Sequence, residues 1–180
     1  EQHAETPTQR AQCAAARSLR EVLTVRDLGD WSHFVGDGSQ PLHMTVHYNG
    51  WGKGPNPHRY TREPIHSLFE SVFVDRYESL RDVAAQIPAE NLAAPTTLLT
   101  QEQLDGLVLT YLEGTNAEVV PLYEIAGPTG AGFRTYSVEA QKFTARQLAR
   151  GAAELRDLSD LAWRDSLYSS VGYPSHTVQD

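Results

Sequence analysis

Apolar positions along the chain recur mostly at intervals of three and four, the signature of helices with one buried face. Residues 8–25 combine alanines with Leu19, Val22 and Leu23 at that spacing, and Pro7 stands where a first helical turn accepts it. A second helix is predicted over 27–38, where Leu28, Trp31, Phe34 and Val35 form a stripe that Gly38 and Pro41 end. Residues 65–86 repeat Ile65, Phe69, Val72, Phe73, Leu80 and Val83 between Pro64 and Pro88, which predicts a third. Thr100 and Gln103 spell a capping box for a helix over 101–113, with Gly114 placed to end it. Residues 137–165 carry Phe143, Leu148, Leu155, Leu158, Leu161 and Trp163 on a long amphipathic pattern. No strand series and no internal repeat emerges, so the expected fold class is all-α.

Between these patterns, segment 44–64 contains Gly50, Gly52, Gly54, Pro55, Pro57 and Pro64, a density that defeats regular structure. Loops of this length in compact domains are usually functional or disordered. Tyr48, Trp51 and Tyr60 argue for anchoring or ligand contact. Residues 127–133, GPTGAGF, are glycine-rich but lack the spacing and lysine of a phosphate-binding loop.

A length of 180 residues with 40% hydrophobic content suits one domain with a sizeable core. The net charge of −8 excludes bulk attraction to polyanions, so phosphate chemistry would need locally placed cations. A single cysteine, Cys13, forbids an internal disulfide and is expected as a small core residue, whereas seven histidines leave imidazole and carboxylate ligation open. No apolar run approaches the roughly 20 residues of a membrane span, so integral membrane association is not expected. No signal peptide is visible, and the start at Glu1 suits a processed form or a segment of a longer protein.

The candidate chemistry lies in His33-Phe-Val-Gly-Asp37-Gly-Ser-Gln40-Pro41-Leu42-His43 and in His66-Ser-Leu-Phe-Glu70. Helical residues four apart project from one face, so His33 with Asp37, and His66 with Glu70, can each meet one cation. Seven histidines and 23 acidic residues in 180 give about one such pair by chance. Three occur; His176 with Asp180, near the C-terminus, is assigned to coincidence. The turn made by Gly38 and Pro41 can aim His43 back toward the preceding helix. His47 is a spare ligand or, more in keeping with its glycine-rich loop, a pin for it; His58 is expected to be exposed. Tyr48, Trp51 and Tyr60 can stack on a base, with Lys53, Arg59 and Arg62 meeting phosphate, or anchor the loop.

HFVGDGSQPLH and the downstream HSLFE resemble the zinc-dependent phospholipase C and single-strand nuclease superfamily, including the S-one and P-one type nucleases. The closing helix KFTARQLARGAAELRDLSDLAW is similar to the family's last helix, and the resemblance spans roughly residues 10–165. It implies a helical bundle with long connecting loops and a secreted or periplasmic phosphodiesterase carrying two or three zinc ions. On that resemblance His33 is a ligand of the first zinc, Asp37 a bridge and catalytic residue, and His43, His66 and Glu70 the protein shell of the second. Substrate-binding residues would be Tyr48, Trp51, Lys53 and Tyr60. The substrate would be nucleic acid, nucleotide or phospholipid; no obligate protein partner is inferred.

The family's ligands from its amino-terminal half, among them a tryptophan with a free amine, have no matched position. Either the chain is the carboxy-terminal part of a longer enzyme, the favoured expectation, or the cluster is reduced. By itself the chain is expected to be well occupied only at the second site and to be a poor catalyst. The rival readings are a non-catalytic helical binding domain stapled by one zinc, and a helical module with no metal.

Overall fold

The computed structural model describes residues 6–89, 97–170 and 177. Among them the regular structure is helical, as the periodicity requires: α1 (Pro7–Gly38), α2 (Val74–Tyr77), α3 (Leu80–Ala84), α4 (Gln101–Asn116), α5 (Val119–Ala126) and α6 (Val138–Asp165). Short 3-10 turns lie at Pro41–Met44, Ala131–Phe133 and Ser166–Tyr168, and a π-helical stretch at Leu68–Phe73. The chain divides into two units, Glu1–Phe34 and Val35–Asp180.

The described residues of the first unit form one helix where two were expected. Nothing between Val25 and Leu28 breaks helix, and Gly29 and Gly36 are carried inside it. Among the described residues of this unit the helix has no second element against which to bury a face, and Leu19, Val22, Val25 and Phe34 are exposed, as is Cys13, which was expected in a core.

In the second unit the core gathers Leu42, Ile65, Phe69, Phe73, Leu122, Tyr123, Phe133 and Phe143. Phe133 stands edge-on to Phe69 and Phe73, at centroid distances of 5.0 and 5.6 Å. Such pairs contribute about 0.5–1.5 kcal/mol each beyond area burial. That exceeds the about 0–1 kcal/mol of an exposed ion pair, so this core fixes the backbone around it rather than the surface charges.

The helix expected over 65–86 is interrupted. After the π stretch and α2, Glu78 turns extended and Ser79 starts α3 by accepting the Asp82 N–H on its side chain. Ser79 thus caps in mid-pattern, and Leu80, placed in the apolar stripe, is 90% exposed. The capping box of Thr100 and Gln103 forms as expected. Gly114 does not end α4, however; the Arg150 guanidinium lies where its Cβ would be, and the helix continues to Asn116. Gly114 is therefore a point of close packing. Helix α5, which the periodicity did not pick out, is apolar nearly all round and buries Val119, Leu122, Tyr123 and Ala126. Helix α6 begins at its Ser137 cap and buries chiefly small residues beside Phe143, leaving Leu148 and Trp163 exposed.

Burial pushes the Glu78 carboxyl up to about 7, despite the Gln141 amide that donates to it at 3.4 Å. A carboxyl that binds its proton more tightly when folded loses stability for the native state as pH rises from about 4.5 to about 7. The Glu78→Gln variant should therefore unfold at a higher temperature than wild type at pH 8 and near the wild-type temperature at pH 4.5. A variant equally or less stable at pH 8 would show that Glu78 is comfortably ionised.

Candidate metal centre

Three buried residues place three candidate ligands. Leu42 and Ile65 are fully buried and Phe69 is 3% exposed, and each is followed directly by His43, His66 or Glu70. The His43 ring comes from the 3-10 turn Pro41–Met44, which Gln40 caps by accepting the Leu42 N–H at 2.7 Å. His66 opens the helical turn that leads into the π stretch, and Glu70 lies within that stretch. π-helical turns inside helices occur frequently at functional sites.

The ligand atoms of His43, His66 and Glu70 all lie within 4.8 Å of one another. Glu70 Oε2 is 3.0 Å from His66 Nε2 and 3.6 Å from His43 Nε2. Two donors bound to one tetrahedral zinc at 2.0–2.1 Å stand about 3.3 Å apart, so these separations suit a shared cation. The other ring nitrogens are turned away. His66 Nδ1 lies 2.9 Å from the Tyr48 carbonyl and His43 Nδ1 lies 3.2 Å from the Asp37 carbonyl. A carbonyl only accepts, so each Nδ1 carries a hydrogen, and Nε2 is the ring atom turned toward Glu70. A carboxylate facing two ring nitrogens is satisfied by protons on Nε2 or by a cation that the three groups share.

Further polar residues hold the arrangement. The Gln40 amide donates to Glu70 Oε2 at 3.0 Å, and Asn49 accepts the His66 backbone N–H at 3.1 Å. Neither was singled out as a site residue. Gln40 was legible only as the residue before Pro41-Leu42-His43, and nothing in the spacing tied Asn49 to His66. Asp37 Oδ1 stands 3.5 Å from His43 Nδ1, on the ring edge opposite the one facing Glu70. Asp37 thus orients His43 and stands apart from the three-residue cluster. His33 lies in the first unit, exposed and edge-on to Phe34 at 5.7 Å.

Segment 44–64 is a pinned loop. His47 stacks on Trp51 at 3.9 Å, its Nδ1 accepts the Gly52 N–H, and its carbonyl accepts the Tyr123 hydroxyl. His47 is a pin and stays out of the cluster. Trp51 donates to the Pro55 carbonyl, and with Tyr60 it packs against the core, so both anchor the loop rather than offer a free face. Arg62 is spent on the Gly52 and Gly54 carbonyls. Gly50, at φ 93°, passes so close to Arg62 that a Cβ would sit 2.6 Å from its carbonyl oxygen. Lys53 and His58 are exposed, the latter stacked on Tyr60, and Tyr48 is 61% exposed beside His66. The pair His176 and Asp180 lies outside the described residues.

No helix among the described residues is long and apolar enough to cross a membrane. No family model, no curated protein and no solved structure matches the chain.

Proposed function

We propose that the chain is a zinc-dependent phosphoester hydrolase of the phospholipase C and S-one/P-one nuclease type. The observation that carries this reading is the convergence of His43 Nε2 and His66 Nε2 on Glu70, with both Nδ1 atoms committed to backbone carbonyls. His43, His66 and Glu70 would hold the ion. Their side chains are 28%, 21% and 36% exposed, so the site is open to solvent on one side. An open position beside three protein ligands is the arrangement of catalytic rather than structural zinc.

Zinc held there would supply Lewis acidity and a means of activating water as a nucleophile at neutral pH. The chain's own residues do the positioning. Gln40 restrains Glu70 to the rotamer that faces both rings, and the Tyr48 carbonyl fixes the His66 tautomer. The Asp37 carboxylate lies beside His43 Nδ1 and raises that ring's basicity as a donor. A local positive charge would also offset the repulsion that a chain of net charge −8 exerts on a phosphoester. The stapled-domain reading needs a closed site of four protein ligands, and three are gathered among the described residues.

Metal analysis after dialysis against zinc should return at least one tightly held equivalent for the wild-type chain. The His66→Ala variant should lose about one equivalent; unchanged zinc content in that variant would overturn the ligand assignment. The zinc-loaded chain should hydrolyse a phosphodiester, single-stranded DNA or short-chain phosphatidylcholine, slowly but in a chelator-sensitive manner, and complete inertness toward both would overturn the hydrolase reading.

Replacing Asp37 by Asn keeps its shape and removes its charge. The rate should fall about 10–100-fold, the usual cost of losing a group that supports a metal-binding histidine, with folding unchanged by circular dichroism. Full activity in Asp37→Asn would exclude the role given to its carboxylate.

A further inference from the structure

On the His66 side of the cluster an open groove of 580 Å³ runs between Tyr48, Asn49, Pro64, His66, Leu68 and Arg134. No carboxylate lines it. Arg134 follows the fully buried Phe133 at the end of a 3-10 turn, so its backbone is anchored while its side chain is exposed. Three other arginines of this unit are occupied: Arg146 by Glu118, Arg150 by the Tyr111 carbonyl and Arg62 by loop carbonyls. The Arg134 guanidinium has no such partner among the described residues.

Across the groove, Tyr48 spends its carbonyl on His66; the residue is 61% exposed, and its ring stands at 75° to the imidazole with centroids 6.2 Å apart. A guanidinium and an exposed aromatic face thus flank the edge of the candidate metal centre.

We propose that Arg134 is the anion-recognising residue of this site, holding a phosphate of a nucleotide unit whose base stacks on Tyr48. The proposal rests on the hydrolase reading above and names its substrate class. Guanidinium pairs with phosphate oxygens through two parallel hydrogen bonds, and every base offers a π-face to a tyrosine. A choline headgroup carries a quaternary ammonium, which needs carboxylates or an aromatic cage. This groove presents it with an arginine instead. The loop residues first considered for phosphate contact contribute less: Arg62 is engaged, and Lys53 and Arg59 are outside the groove.

The test is equilibrium dialysis of labelled thymidine 5′-monophosphate against the zinc-treated full chain, wild type, Arg134→Ala, Arg134→Lys and Tyr48→Ala. Zinc content is measured in the same samples. Arg134→Ala should bind the nucleotide at least tenfold more weakly with unchanged zinc content, and Arg134→Lys should recover part of the loss. Tyr48→Ala should weaken the nucleotide while leaving the affinity for inorganic phosphate within about twofold. Equal nucleotide affinity in wild type and Arg134→Ala, or no binding by wild type, would overturn the proposal. Weaker loss for the nucleotide than for phosphocholine would overturn it in favour of a lipid headgroup. Failure of the wild-type chain to retain zinc would instead strike the hydrolase reading, with the Arg134 comparison still decided by the nucleotide affinities.

Discussion

The site depends on a simple pairing of neighbours along the chain: a buried apolar residue followed at once by a polar ligand. Leu42, Ile65 and Phe69 enter the same core, and His43, His66 and Glu70 are carried to its rim together. Interiors packed at crystal-like density leave little freedom to such residues, so the rim inherits the precision of the core. Phe133 extends the same device to Arg134. The aromatic contacts of Phe133 with Phe69 and Phe73 therefore matter to the geometry of the rim although none of these rings belongs to it.

A second constraint is electrostatic. Two imidazole lone pairs and a carboxylate oxygen facing one point are mutually repulsive without a cation or added protons. Gln40 and the carbonyls of Asp37 and Tyr48 nonetheless hold them there. Polar groups are positioned against their own repulsion at functional sites, where the surrounding structure enforces the arrangement.

How much of this was legible in the sequence depended on the kind of signal. The all-α class, the capping box at Thr100 and Gln103, and the long helix over 137–165 follow from local periodicity and cap chemistry, and they stand. The two candidate ligands four apart, His66 and Glu70, were visible because helical spacing is short-range, and a turn after Gly38 allowed His43 to join them. Other features needed the third dimension. Gly114 looks like a helix stop until Arg150 is seen crossing it, and Trp51 and Tyr60 look like stacking platforms until their packing on the core is seen. The break at Ser79 was legible in principle, since Ser79 and Asp82 stand at cap spacing, but the apolar stripe on both sides outweighed it. Gln40 and Arg134 left no periodic trace because each acts through a contact distant in sequence.

The central claim is that His43 and His66 present Nε2 to a cation shared with Glu70. Two-dimensional ¹H–¹⁵N spectra of the histidine side chains, recorded before and after one equivalent of zinc, test it most directly. Among the chain's seven histidines, His43 and His66 should show the Nδ1–H tautomer at neutral pH, and zinc should shift their Nε2 resonances and leave those of His47 and His58 in place. Nε2–H tautomers at His43 and His66, or zinc shifts confined to other histidines, would contradict the account.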